Sequence, residues 1–231
     1  MQTIIISGTT KGIGLALANH YLSQGYIVAG LARGEAKIIH EHYMHIVCDI
    51  AIEEQVTAAI KQIKNTCGSI DILINNAALA NMNSLISTPL SAFEQVYKVN
   101  AGGTFLLMRE AAKQMIRQQS GRIINFTSIS KPLNLETQSS YAASKAAVES
   151  LTKIAARELA SFNITVNAIG PTPIDTDLIK GIPEDWMQNV LNMQAIKRKG
   201  TLQDIYNICD FFISPKSSFI TGQVVYLGGV S

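Results

Sequence analysis

A chain of 231 residues, 47% hydrophobic and 16% charged, carries the apolar material of one large α/β domain and lacks the composition of a disordered segment. A net charge of +2 with no long basic run offers nothing to nucleic acid or an anionic membrane, and no apolar run approaches the ~18 residues of a membrane span. Cys48, Cys67 and Cys209 lack metal-ligand spacing and read as free thiols of a reducing compartment. With no leader pattern at the first residues, the expected location is the cytoplasm.

Thr3 to Ser7 is a β-branched run that ends at Gly8, a buried strand. The turn Gly8-Thr9-Thr10-Lys11-Gly12-Ile13-Gly14 leads into a helix over Leu15 to Gln24, stopped by Gly25. Tyr26 to Ala32 and His45 to Cys48 read as strands, and the connection between them has room for at most a stunted helix. Ile52 to Thr66 is helical, and Ile70 to Asn75 is a strand. Leu90 to Met108 and then Arg109 to Gln119 read as helix, followed by a strand over Arg122 to Ser128. A loop then leads to a long helix over Tyr141 to Ala160 and a strand over Thr165 to Ile169. Gly170 to Gly200 reads as irregular, with Pro171, Pro173 and Pro183 and the apolar residues Ile182, Trp186, Met187, Val190, Leu191 and Met193. So long a stretch in a compact domain points to a substrate lid, over about 171–200. A helix over Leu202 to Ile213 and a strand over Gln223 to Leu227 close the chain. The alternation predicts one Rossmann-like doubly wound domain over 1–231, with a mostly or wholly parallel seven-stranded sheet and helices on both faces.

The glycine turn after the first strand has the physics of a dinucleotide site. Glycines let the backbone approach a pyrophosphate, and the following helix offers free N–H groups and the positive end of its dipole. The second strand ends Gly30-Leu31-Ala32-Arg33, without the carboxylate that would bond a ribose 2′-hydroxyl. Arg33 and Lys11 suit a 2′-phosphate, so NADP(H) is the expected cofactor, with NAD(H) possible.

Tyr141 and Lys145, four apart on one helix, share a face. A phenol with a pKa of about 10 needs a neighbouring ammonium to be a useful proton donor or acceptor at pH 7. His40 and His42 have a spacing that could bind metal but read as a solvated loop, and no metal site is expected.

With these motifs in this order the whole chain resembles the short-chain dehydrogenase/reductase family. Gly8, Gly12 and Gly14 match its TGxxxGxG turn, with Ser7 in place of Thr. Asn75-Asn76-Ala77-Ala78 matches NNAG, with Ala78 in place of Gly, and Pro171-Thr172 stands for the usual Pro-Gly. Ser128 lies thirteen residues before Tyr141, the usual interval. The resemblance implies Asn100, Ser128, Tyr141 and Lys145 as catalytic residues. Tyr141 would be the general acid and Lys145 would lower its pKa and bond the nicotinamide ribose. Ser128 would hold the carbonyl oxygen and Asn100 a relay water. It implies cofactor contacts from Gly8, Thr10, Lys11, Gly12, Ile13, Gly14, Arg33, Asp49, Ile50, Asn76, Ala77, Tyr141, Lys145, Pro171, Ile174 and Thr176.

Within the family the stretches around Gly121-Arg122-Ile123 and Phe219-Ile220-Thr221-Gly222 resemble reductases of 3-oxoacyl thioesters. The expectation is NADPH-dependent reduction of such a thioester, carried by an acyl carrier protein or CoA. Another ketone, aldehyde, sugar or steroid is the alternative, and a cofactor-binding regulator without turnover is a reading of a different class. Lys131, in the loop after Ser128, reads as solvated or as a contact to a substrate phosphate or carboxylate. Relatives that reduce enoyl groups space Tyr and Lys further apart. The family commonly assembles as tetramers, so a homotetramer or dimer is expected.

Overall fold

The computed structural model describes residues 1–175, 181 and 183–230. Strand β1 (Thr3–Ser7) is buried at every position. Ile5 packs with one core cluster, whereas Ile4 and Ile6 pack with another. Successive strand side chains point to opposite faces, so a strand covered on both sides is apolar through its middle, as Ile4, Ile5 and Ile6 are.

The remaining strands are β2 (Ile27–Ala32), β3 (Tyr43–Val47), β4 (Ile72–Asn75), β5 (Gly121–Phe126), β6 (Ile164–Gly170) and β7 (Val224–Tyr226). They form one sheet of seven in the order β3-β2-β1-β4-β5-β6-β7. Every pairing is parallel. The helices are α1 (Gly12–Ser23), α2 (Glu53–Cys67), α3 (Leu90–Tyr97), α4 (Gly103–Gln118), α5 (Ser139–Leu159), α6 (Glu184–Met193) and α7 (Leu202–Ile213). Val56, Ile60 and Ile63 of α2, Leu107 and Ala111 of α4 and Ala156 of α5 cover the Ile5 face. Leu17 and Tyr21 of α1 with Ile205 and Phe212 of α7 cover the other. The fold is a doubly wound parallel sheet, as the alternation predicts. The strand order reverses direction between β1 and β4, and a crevice opens there at their carboxyl ends.

Between β2 and β3 no helix forms, in keeping with the at-most-stunted helix expected there. Two local expectations fail. The helix expected over Leu90 to Met108 is interrupted by a π-helical turn, Lys98–Gly102, between α3 and α4. The stretch expected to be irregular contains α6. Pro183 sits just before it with Glu184 and Asp185 in its first turn, and Met187, Val190 and Leu191 are its buried stripe. Thr176 and Ile182 lie outside the described residues.

Candidate active site

The crevice begins at Gly8, where β1 ends. Gly8 and Gly12 have φ of +82° and +58°, a region L side chains rarely adopt. A Cβ on Gly14 would overlap the Gly8 carbonyl and lie 2.5 Å from Asn76 Nδ2. The turn thus closes with no side chain between strand and helix, and the first N–H groups of α1 have no partner within the helix. Ser7 ties the turn to the segment after β4. Its Oγ accepts from the N–H groups of Asn76 and Ala77 at 3.1 and 3.0 Å, and Asn76 Nδ2 donates to the Ser7 carbonyl at 2.9 Å.

A cavity of about 290 Å³ lies against this turn, lined by Gly8, Thr10, Lys11, Gly12, Arg33, Asp49, Ile50, Asn76 and Ala77. A second, of about 330 Å³, is lined by Ser128, Tyr141, Lys145, Pro171 and Ile174. Ile13, Asn76 and Ala78 line both, so the two make one elongated cleft. A turn with glycine at 8, 12 and 14, a helix N-terminus and the cations Lys11 and Arg33 along such a cleft fit a dinucleotide. Asp49 also holds its own turn, its Oδ1 accepting from the Ala51 N–H at 3.0 Å.

Tyr141 and Lys145 lie one turn apart on α5, 9% and 3% exposed. Lys145 Nζ donates to the carbonyl of Phe126, the last residue of β5, at 2.6 Å, and lies 5.6 Å from the Tyr141 ring centroid. Burial pushes the Lys145 ammonium down to about 8. Burial also raises the Tyr141 phenol, with the Ser128 hydroxyl opposing. This corrects the expectation of a phenol lowered by Lys145: here removal from water outweighs the Ser128 hydrogen bond and the phenol is raised. Ser128 Oγ is itself oriented, accepting from the Ser130 N–H at 3.1 Å and lying 3.0 Å from Ser130 Oγ.

Asn100 is fully buried in the π-helical turn. Its Oδ1 accepts from the Leu79 N–H at 2.8 Å, and its Nδ2 donates to the Leu79 carbonyl and to Ser144 Oγ, both at 2.9 Å. Ser144 Oγ donates in turn to the Tyr141 carbonyl at 2.7 Å. Both amide hydrogens are therefore used. The side chain clamps the segment after β4 to the helix that carries Tyr141.

Lys131 keeps a solvated side chain, 41% exposed, and does not line the cavity. Its Nζ pairs at 3.2 Å with Glu149, a carboxylate on α5 that is only 6% exposed. Glu149 also accepts from Thr127 Oγ1 at 2.7 Å and from the Tyr226 hydroxyl. Two residues not expected from sequence also belong to the cavity. Gln138, at the start of α5, is 8% exposed, and its Oε1 has no hydrogen-bond partner. Thr172 donates from Oγ1 to Gln194 Oε1, so the residue standing for a family glycine ties β6 to the end of α6. Around them Met82, Trp186, Met187 and Val190 give the cavity apolar walls.

A doubly wound sheet with a dinucleotide cleft and a buried Tyr–Lys pair beside it defines a class, the dinucleotide-dependent oxidoreductases. A family model described as Enoyl-(Acyl carrier protein) reductase matches residues 8–230. The chain is 34% identical to the 3-oxoacyl-(acyl-carrier-protein) reductase FabG of Staphylococcus epidermidis, over 99% of this chain and 98% of that protein. It is 31% identical to the 3-oxoacyl-(acyl-carrier-protein) reductase MabA of Mycobacterium bovis, over 99% and 92%. The ligand-free aldohexose dehydrogenase of Thermoplasma acidophilum matches with a TM-score of 0.88 at 30% identity, covering 99% of this chain and 93% of that one. A NAD⁺-bound xylitol dehydrogenase matches at 0.87 and 26%, covering 99% and 98%. The chain belongs to the short-chain dehydrogenase/reductase family. It is an NAD(P)-dependent oxidoreductase acting between an alcohol and a carbonyl.

Proposed function

We propose that the protein reduces a 3-oxoacyl thioester, carried by an acyl carrier protein or CoA, to the 3-hydroxyacyl thioester with NADPH. The observation that carries the reading is the convergence of Ser128, Tyr141 and Lys145 on the 330 Å³ cavity that continues the dinucleotide cleft. The full-length similarity to FabG and MabA supports the substrate class. Arg33 and Lys11 on the adenosine-side cavity support a 2′-phosphate, and Ala32-Arg33 ends β2 without a carboxylate.

Gly8, Gly12, Ile13 and Asn76 would hold the cofactor's phosphates, Asp49 and Ile50 its adenine, and Ala77, Pro171 and Ile174 its nicotinamide half. The bound cofactor supplies a hydride to the carbonyl carbon. Ser128 Oγ donates a hydrogen bond to the carbonyl oxygen and stabilises its growing charge. Tyr141 gives its hydroxyl proton to that oxygen, which completes the alcohol. A raised phenol pKa keeps Tyr141 protonated and ready for this step, and the Lys145 ammonium offsets the phenolate left behind. Ser130 and Asn100 keep Ser128 and α5 in place.

The test is NADPH oxidation with acetoacetyl-CoA and an acetoacetyl carrier protein beside a panel of ketones, aldoses and steroids, repeated with NADH. Preference for the thioesters with NADPH is the expected result, and preference for any other class overturns the substrate reading. The buried Gln138 amide and the Ser130 hydroxyl favour a second reading, a hydroxylated carbonyl such as a sugar, in line with the aldohexose dehydrogenase. We further propose a cytoplasmic homotetramer or dimer, supported by Phe105 of α4 and Ile154 of α5 at 44% and 51% exposure. Among the described residues no helix is long and apolar enough to cross a membrane.

A further inference from the structure

Arg33 sits on a turn, and a guanidinium selects a 2′-phosphate only if that turn is held in register with the glycine loop that binds the rest of the cofactor. The side chains that hold it come from β3, which supplies no residue to either cavity lining. The Tyr43 hydroxyl lies 3.0 Å from Thr9 Oγ1 in the glycine loop, to which it can donate, and 3.1 Å from His45 Nδ1. On the far side of the ring, His45 Nε2 lies 2.8 Å from the carbonyl of Gly34, the residue after Arg33. A carbonyl only accepts, so Nε2 carries the hydrogen and Nδ1 accepts, the single Tyr43 hydrogen serving Thr9 or His45 at a time.

The path across β2 exists because residue 30 is glycine. A Cβ there would overlap the Tyr43 hydroxyl and lie 2.5 Å from Thr9 Oγ1. Gly34 in turn leans on the loop, its Cβ position 3.6 Å from the Thr10 methyl. Thr9, Tyr43, His45 and Gly34 thus form a continuous strut between two walls of the adenosine-side cavity, and both Thr10 and Gly34 line it.

We propose that Tyr43 and His45 are positioning residues for cofactor choice. They set the distance between the glycine loop and the Arg33-Gly34 turn, and so aim Arg33 at the adenosine 2′-phosphate. This deepens the NADP(H) reading above and rests on it. A strut of this kind acts on the 2′-phosphate and not on the shared adenosine 5′-phosphate, which the glycine turn holds by its own backbone.

The experiment is calorimetric titration of adenosine 2′,5′-bisphosphate and of 5′-AMP into wild type, His45→Leu, Tyr43→Phe, His45→Gln and Arg33→Ala, with thermal unfolding of each. His45→Leu and Tyr43→Phe are expected to weaken the bisphosphate about fivefold to tenfold, the worth of one well-placed hydrogen bond, and to leave 5′-AMP within about twofold. His45→Gln keeps a donor for Gly34 and should recover most of the loss. In turnover the same pair should raise the NADPH KM, leave kcat at saturation unchanged and spare NADH. An equal loss of both nucleotides in both variants would show that the strut merely supports the fold, and overturns the inference. An Arg33→Ala protein with an unchanged bisphosphate-to-AMP ratio overturns the NADP(H) reading itself. A changed ratio in Arg33→Ala with none in His45→Leu or Tyr43→Phe leaves that reading standing and removes the strut.

Discussion

Lys145 donates from its buried Nζ to the Phe126 carbonyl, so the charge beside Tyr141 is held by the end of a strand rather than by water. The consequence is a lysine that titrates within reach of ordinary assay conditions. As pH rises through about 8 the ammonium is lost, while the burial-raised Tyr141 stays a phenol. The kcat/KM for carbonyl reduction is expected to be level below that pH and to fall about tenfold per unit above it. Lys145→Met should be about a hundredfold slower and lack this limb. A wild-type profile level to pH 10 would contradict the assignment.

Tyr141→Phe removes the proton donor and little else. We expect turnover to fall by at least about a hundredfold while the NADPH dissociation constant, read by fluorescence titration, stays within about threefold. A wild-type rate in this variant would remove Tyr141 from the mechanism.

Gly14→Ala places a methyl against the Gly8 carbonyl and Asn76 Nδ2. Neither can retreat without opening the Ser7–Asn76 hydrogen bonds. Overpacking of about 1–3 kcal/mol should appear as a loss of cofactor affinity of about tenfold or more. Gly25→Ala is the comparison for stability, because its Cβ position meets no atom within 4 Å although its φ of +81° is still strained. It should lower the melting temperature and leave cofactor affinity unchanged.

Asn100→Ala leaves the Leu79 N–H and carbonyl and Ser144 Oγ without their buried partner. A cost of about 1–3 kcal/mol is expected in chemical denaturation, with turnover falling because α5 is no longer clamped to the segment after β4. A variant as stable as wild type would show that the polar contacts are replaced by water.

The sheet was legible in the sequence because parallel strands buried on both faces, such as Ile4-Ile5-Ile6, leave apolar runs punctuated by glycine. The α3–α4 break was not, since a π-helical turn changes no residue type and only displaces the helix by one position. Helix α6 carried its signal in Pro183, Glu184 and the Met187–Val190–Leu191 spacing, but Pro171 and Pro173 nearby argued for a loop. Within the site, Tyr141 and Lys145 share a helix face by their spacing alone, whereas Ser128 and Asn100 were legible only through the family resemblance. Glu149, Gln194 and His45 were not legible, because their partners Lys131, Thr172 and Gly34 lie elsewhere in the chain and only packing brings each pair together.

Gly200 has no room for a side chain, because the methyl of Thr172 and the Cδ1 of Ile174 already occupy it, each 2.6 Å from a notional Cβ. Its N–H donates to the Pro173 carbonyl at 3.0 Å, and Gln194 meets Thr172 from the other side. Positions 172, 194 and 200 are therefore a single exchangeable unit. In a chimera with a relative that has glycine at the first of them, transplanting α6 and its flanks without all three would leave either a void or a clash. The three positions are inherited as a set.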